Sequence, residues 1–141
     1  MKRLFQASLL LLVLLAASTP LLAHHGNASY ENKTVTIKGK VTQWLWVNPH
    51  SWIYVDVKKP DGKVETWAVE GGTPSVLFRR GLTKDSLKPG TAVLVEGYRA
   101  KDGSLRANGR SVTLADGTKL FVGSSGTGAP YELELKAPAK K

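Results

Sequence analysis

The stretch TVTIKGKVTQWLWV, residues 34–47, decides the fold class. Val35, Ile37 and Val41 fall on one face of this stretch, and polar residues fill most of the other. An alternation with period two that is rich in β-branched and aromatic residues is typical of a strand with one buried face. Gly39 lies inside the pattern, and a glycine at such a position favours a bulge or a sharp bend. The stretch therefore predicts a long, bent strand.

Similar alternation continues on both sides of turns that are rich in Asn, Pro, Asp and Gly. It predicts further strands over residues 51–58, 63–70, 91–100 and 105–115, with a short apolar piece over 119–122. One short helix is predicted over residues 75–80. Thr73 can cap that helix, Pro74 suits its first position, and Gly81 suits its end.

Three strands, a short helix and two or three more strands match the chain order of the OB-fold. We therefore predict an all-β domain over residues 34–123. Its architecture would be a small five- to six-stranded OB-like Greek-key barrel with one short helix between strands 3 and 4. An open β-sandwich is the competing architecture. Residues 124–141 begin with SSGTGAP, which is typical of a linker, and are predicted to form a flexible tail.

The N-terminus has the pattern of a secretory signal peptide. Lys2 and Arg3 precede the apolar run SLLLLVLLAA, residues 8–17, and small Ala23 ends the segment. A membrane span needs about 20 consecutive apolar residues, and Pro20 interrupts this run too early. We expect residues 1–23 to be removed, leaving a periplasmic protein that does not span the membrane. Residues 24–33 would form an N-terminal arm.

Charge and cysteine content narrow the class of partner. Removing Lys2 and Arg3 from the 20 basic residues leaves 18 against 11 acidic ones, a formal charge of +7. A basic excess favours anionic partners, although scattered charges also serve solubility. The chain has no cysteine, so no disulfide supports the fold in the oxidising space. An exported location argues against nucleic acid, and nothing in the pattern specifies an oligomeric state.

The segment AHHGNASY, residues 23–30, holds two of the chain's three histidines. Cleavage after Ala23 would give His24 a free α-amine, and that amine and the ring Nδ1 can chelate one metal ion. His50, in the turn after the first strand, could supply a second imidazole, with Glu70 or water completing the shell. Nitrogen ligands in this arrangement favour Cu(II). Because the amine must be neutral, and α-amines titrate near pH 7.7–8.0, binding should strengthen as the pH rises.

Other interpretations of the histidines stay open. His25 offers a different Cu(II) mode, through the α-amine, a deprotonated backbone nitrogen and its own ring. The pair could equally be part of a polar arm without a ligand, and His50 could simply bond a backbone carbonyl in its turn. Three histidines fall short of the usual four-ligand zinc site unless a carboxylate joins them.

The four tryptophans form a second constellation. Trp44, Trp46 and Trp52 flank the Asn48-Pro49-His50 turn, and they could form a stacking platform for a small ligand or a periplasmic protein. Burial in the core is the competing interpretation, for these three and for Trp67. Several basic residues could add contacts to an anion, namely Arg79, Arg80, Arg99, Lys101, Arg106 and Arg110.

The sequence holds no pattern that indicates catalysis. No Ser or Cys nucleophile stands beside a histidine in a known motif, and no glycine-rich phosphate loop occurs. We therefore expect a binding protein and not an enzyme.

The segments AHHGNASY, TIKGKVTQWLWVNPHSWIYVDV, WAVEGGTPSVLFRRGLTKDSLKPG and VEGYRAKDGSLRANGRSVTLADG resemble a family of small exported bacterial proteins. That family is classed as a domain of unknown function. The resemblance covers nearly the whole mature chain, and it implies export and a small β-barrel without supplying an activity. The residues to which it points are His24, His25, Asn48, Pro49, His50, Trp52, Glu70, Gly71, Gly72 and Arg80.

Overall fold

The computed structural model describes residues 29–124, which fold into six strands and one short helix. The predicted all-β class is confirmed. The elements in chain order are β1 (Tyr30–Leu45), β2 (Trp52–Lys58), β3 (Val64–Glu70), α1 (Pro74–Arg79), β4 (Ala92–Ala100), β5 (Arg106–Leu114) and β6 (Lys119–Phe121).

The strands form one sheet in the order β3-β2-β1-β4-β5-β6, and an additional pairing joins β3 to β5. This pairing is parallel, whereas the other pairings are antiparallel. Five strands therefore close into a ring, β1-β2-β3-β5-β4, with β6 attached to the outer edge of β5. A ring leaves its own strands without free edges, which protects a small domain from pairing with other chains.

The first strand is longer than predicted and pairs with two neighbours in turn. It begins at Tyr30, four residues before the predicted start at Thr34, and has 16 residues. Its first part pairs with β4 and its second part with β2, and Lys40 belongs to both ladders. A straight strand of this length would extend about 53 Å, which exceeds the size of such a domain. The strand must therefore coil around the ring.

Gly39 lies where β1 passes from β4 to β2. An added Cβ would overlap the carbonyl oxygen of Asp56 and lie 2.8 Å from Val55 Cγ1. A glycine is therefore required at position 39, because β1 and β2 approach too closely there for a side chain. The register shift falls slightly later, between Val41 and Gln43. The predicted bend is confirmed in this region, but the bulge is not at the glycine itself.

The core fills the inside of the ring. Alternate residues of five strands point inward and are almost fully buried, namely Ile37, Val41, Ile53, Val55, Trp67, Val69, Val93, Val95, Ala107 and Val112. Leu77 of α1 and Leu82 and Leu87 of the following loop belong to the same cluster. Complete burial of one large aliphatic side chain contributes about 1.5–3 kcal/mol, so the inward rows are the main stabilising feature.

The helix agrees with its sequence prediction to within one residue. Thr73 Oγ1 accepts a hydrogen bond from Val76 N, and Pro74 occupies the first helical position. No helix among the described residues has the length and apolar character that crossing a membrane requires.

Replacing Gly39 by Ala should destabilise the fold by about 1–3 kcal/mol, because the new methyl group has to displace β2. Thr36→Ala is the control, since Thr36 is exposed on the same strand and its loss costs about 1 kcal/mol or less. Chemical denaturation measures both. Equal denaturation midpoints for Gly39→Ala and the wild type would contradict the close approach of β1 to β2 at this position.

Candidate functional site

Three side chains from three parts of the chain form a polar cluster at one end of the ring. The Tyr30 hydroxyl donates to Glu70 Oε2 at 2.5 Å. Glu70 Oε1 lies 3.0 Å from His50 Nδ1. One carboxylate thus connects the start of β1 with the turn before β2.

Backbone hydrogen bonds hold His50 beside the end of β3. Ser51 N donates to Gly72 O at 3.0 Å, and Gly71 N donates to Ser51 O at 2.7 Å. These bonds continue the β2–β3 ladder past the strand ends. Space beside Gly71 is limited, because an added Cβ would lie 3.1 Å from Val122 O. His50 is therefore positioned by paired backbone, and the prediction that it lies near Glu70 is confirmed.

The hydrogen bonds of His50 determine which ring nitrogen carries the proton. Nδ1 lies 3.0 Å from Glu70 Oε1 and 3.3 Å from Gly71 O, and both of these oxygens accept hydrogen bonds. A neutral ring therefore places its proton on Nδ1 and its lone pair on Nε2. The side chain is 39% exposed. Metal-binding histidines typically have this pattern, in which a carboxylate or carbonyl orients the ring.

Tyr30 is almost fully buried, and its ionisation is correspondingly difficult. Burial and the hydrogen bond to Glu70, followed by the charge of Glu70, raise its pKa from 10.0 to about 12. Arg106 acts in the opposite direction on this pKa, through its charge and a hydrogen bond. A guanidinium group therefore belongs to the same cluster.

Arg106 also lies over an aromatic ring of the predicted site. Its Cζ is 5.5 Å from the centre of the Trp52 ring, which is within the range of a cation–π contact. Trp52 pairs with Glu70 across the β2–β3 ladder, so both side chains lie on the same face of the sheet. The Glu70 carboxylate thus contacts His50, and a half-buried indole with a guanidinium over it lies on the same face of the sheet.

The three tryptophans of the predicted platform do not share one face. Trp44 is the cross-strand partner of Ile53, which points into the core, whereas Trp52 is the partner of Leu45 on the other face. Trp44 and Trp46 pack edge to face with ring centres 5.4 Å apart, and both lie against the core. Trp44 Nε1 donates to Thr83 O at 3.0 Å. Only Trp52 lies beside the polar cluster. The three tryptophans therefore do not form the single stacking platform that was predicted.

Two further predicted residues lie in other surroundings. Arg80, at the end of α1, donates from Nη1 to Phe121 O at 3.3 Å and also to Gly123 O. Arg80 therefore links the end of α1 by hydrogen bonds to β6 and to the residues just after it. Asn48 is exposed in the turn between β1 and β2 and precedes a cis peptide bond to Pro49.

His24 and His25 lie outside the described residues. Within residues 29–124, no three His, Cys, Asp or Glu side chains come together in a group that could hold a metal ion. His50 and Glu70 are the two members of the predicted metal set that the structure describes, and they are in contact.

Sequence reasoning missed Tyr30, and it named Arg106 only as one of several basic residues that could contact an anion. Tyr30 was placed in the arm because Glu31, Asn32 and Lys33 conceal the strand that begins there. Arg106 is one of many basic residues, and the parallel pairing of β3 with β5 places it opposite Ala68, two residues before Glu70. An isolated aromatic residue close before a predicted strand is the only signal that could have identified Tyr30.

The ultraviolet spectrum should resolve one tyrosine that ionises near pH 12, and Tyr30→Phe should remove that transition. The protonated form is favoured by folding. Its contribution to stability is complete below about pH 10 and is lost as the pH rises toward 12. Glu70→Gln should lower the Tyr30 pKa while burial keeps it above 10.0.

Glu65→Gln is the matched control, because Glu65 is on the same strand and pairs with the more exposed Lys59. It should leave the Tyr30 transition unchanged. A similar shift in both variants would show that the effect is a general charge effect and not contact with Glu70.

The described residues thus bring an exposed histidine, a shared carboxylate, a buried tyrosine, and an arginine over an indole to one end of the ring. Comparison with known proteins adds a family but no activity. No curated protein and no solved structure matches the chain. Residues 11–110 match the model of a family of unknown function, DUF6152. Because this match spans most of the sequence and includes His50, Glu70 and Arg106, the chain belongs to that family.

Proposed function

We propose that the mature protein is an exported Cu(II)-binding protein, with its metal site between the N-terminal His24 and His50. The observation that carries this proposal is the orientation of His50. Its Nδ1 is held by Glu70 and Gly71, and Nε2 has no hydrogen-bond partner among the described residues. A ring held in this way loses little entropy when it binds a metal ion.

The position of Tyr30 supports the contribution of His24. Tyr30 follows His24 by six positions, and six extended residues span about 20 Å. Tyr30 shares the Glu70 carboxylate with His50. An arm that leaves from Tyr30 therefore starts beside His50 and does not have to run back along the domain.

The contacts of Glu70 favour a supporting role for this residue. One of its oxygens accepts from Tyr30 and the other lies beside His50, so direct ligation would break an existing contact. In this proposal Glu70 orients His50, and water completes the copper shell. Carboxylates that orient a metal-binding histidine typically contribute 10–100-fold to affinity.

The same proposal includes the finer architecture and the location. The ring order β1-β2-β3-β5-β4, with α1 between β3 and β4, supports an OB-like Greek-key barrel. The basic and apolar pattern before Ala23 supports export to the periplasm. We propose binding and not catalysis, since no nucleophile accompanies His50 and Glu70 in the described cluster.

The decisive experiment compares Cu(II) binding by protein that begins at His24 with the same protein acetylated at its N-terminus. The acetyl group blocks the amine and leaves all three imidazoles in place. We expect affinity to fall about tenfold or more in the acetylated protein and in His50→Ala, because each loses a nitrogen ligand. Electron paramagnetic resonance should show the corresponding change in nitrogen ligands. Equal affinity in all three proteins would exclude the site.

Two further variants separate the alternatives. His25→Ala should leave affinity unchanged if His24 and His50 bind the ion, whereas it should abolish binding through the backbone mode. Glu70→Gln should weaken binding about tenfold, with Glu65→Gln as the matched control. Binding by the wild type should increase between about pH 7 and 8, where the α-amine loses its proton.

Export makes a separate prediction. Protein recovered from the periplasm should have the mass of residues 24–141, because cleavage is expected after Ala23. Mass spectrometry of the intact protein measures this directly. Retention of residues 1–23 would contradict both the location and the amine ligand.

A second candidate function uses the same surface without a metal ion. The stacking of Arg106 on Trp52 beside His50 supports a module that binds a small ligand or a periplasmic protein. Trp52→Ala should then weaken ligand binding, with Trp44→Ala as a comparison on the other face. Copper binding that depends on His24 and His50 but not on Trp52 would favour the first function.

A further inference from the structure

An open groove of about 1090 Å³ crosses the outer face of the ring. It lies at the far end of β2 from His50. His50 comes just before this strand, whereas Lys58 of the groove ends it, and a seven-residue strand separates its ends by about 20 Å. The groove is therefore distinct from the polar cluster.

Apolar side chains form the floor and two walls of the groove. Core residues Val41 and Val93 reach its floor, and Val64 and Leu94 stand at its sides. Val64 is 58% exposed and Leu94 is 38% exposed, and both are among the large exposed hydrophobic residues of the described chain. Exposed apolar groups that are grouped in a groove typically mark a binding surface.

Three lysines lie on the strands between these two exposed apolar residues. Lys58 of β2 is the cross-strand partner of Val64 on β3, and Lys38 of β1 is the partner of Leu94 on β4, so each lysine shares a face with an exposed apolar residue. Lys40 also lines the groove, two residues further along β1 and opposite Asp56. No ion pair or hydrogen bond joins any of the three to another described side chain.

The groove is thus positively charged overall. Asp56 is the one acidic residue in its lining, and its Oδ1 already accepts from Thr66 Oγ1 at 2.6 Å. Three ammonium groups face one carboxylate. Compact lysine charges suit a phosphate or carboxylate head group.

The backbone around the groove distinguishes between possible anions. The strands that form its centre, β1, β2 and β4, are each paired on both sides within the ring. An extended peptide usually binds by adding its backbone to a free strand edge, and its amide groups would lack partners here. An acyl chain carries no such groups and requires only apolar contact.

We propose that this groove binds a single lipid anion, with its head group among Lys38, Lys40 and Lys58 and its acyl chain against Leu94 on the β4 side. The volume suits one chain of moderate length. The occupant is a lipid molecule from solution and not a membrane surface, since the apolar residues line a concavity and do not project from it. The site is independent of His24 and His50.

The test uses dodecyl phosphate below its micelle concentration, with binding to copper-free mature protein measured by calorimetry. The triple variant Lys38→Gln, Lys40→Gln, Lys58→Gln should weaken binding about tenfold or more, and so should Leu94→Gln. The matched triple variant Lys33→Gln, Lys84→Gln, Lys119→Gln removes the same charge outside the groove and should leave affinity unchanged. Denaturation midpoints confirm that the variants fold.

Other ligands determine which chemistry the groove recognises. Dodecanol should bind at least about tenfold more weakly than dodecyl phosphate, because it lacks the charge. Inorganic phosphate should not bind detectably. Equal weakening by both triple variants would overturn the proposal, as would tighter binding of polyglutamate than of dodecyl phosphate. Binding only to vesicles of anionic phospholipid would also overturn it, in favour of a membrane surface.

Discussion

The short parallel pairing between β3 and β5 is the constraint on which the rest of the structure depends. It joins Ala68 to Arg106, Val69 to Ala107 and Glu70 to Asn108. Without it the strands would form an open sheet with β3 exposed at one edge. The pairing also buries Val69 and Ala107 completely. The core is therefore complete only when the ring is closed.

Ring closure also creates the polar cluster. Glu70 ends β3 and would face solvent in an open sheet, but in the ring it contacts Tyr30, the first residue of β1, and pairs with Asn108 of β5. Burial of Tyr30 against this carboxylate keeps the phenol protonated, so that it can donate while Glu70 accepts from both sides. The carboxylate therefore stabilises the cluster by holding two donors from distant parts of the sequence.

Local sequence signals predicted most of the strands and the helix, whereas they could not predict the contacts between residues that are distant in sequence. Alternation and turn residues gave β2 to β5 to within a residue or two, and Thr73 with Pro74 gave the start of α1. The proximity of His50 to Glu70 followed from simple hairpin geometry. The start of β1 was missed because its first residues are polar on both faces. The faces of Trp44 and Trp52 were not separated, because the cross-strand register decides them and the turn between β1 and β2 is irregular. Arg106 was named only as a general basic residue, and its position over Trp52 was not predicted, because the β3–β5 pairing joins strands that are far apart in sequence.

The cluster draws its members from four separate segments, at Tyr30, His50, Glu70 and Arg106. No short fragment of the chain contains all four residues, so any ligand that needs the complete cluster binds the closed ring and not the unfolded chain. Thermodynamic linkage then requires the ligand to stabilise the fold. At a free concentration about 100 times its Kd, such a ligand adds about 2.7 kcal/mol to the free energy of unfolding. For a domain without disulfides, whose total stability is expected to be about 5–15 kcal/mol, occupancy of this site would change how long the protein survives proteolysis.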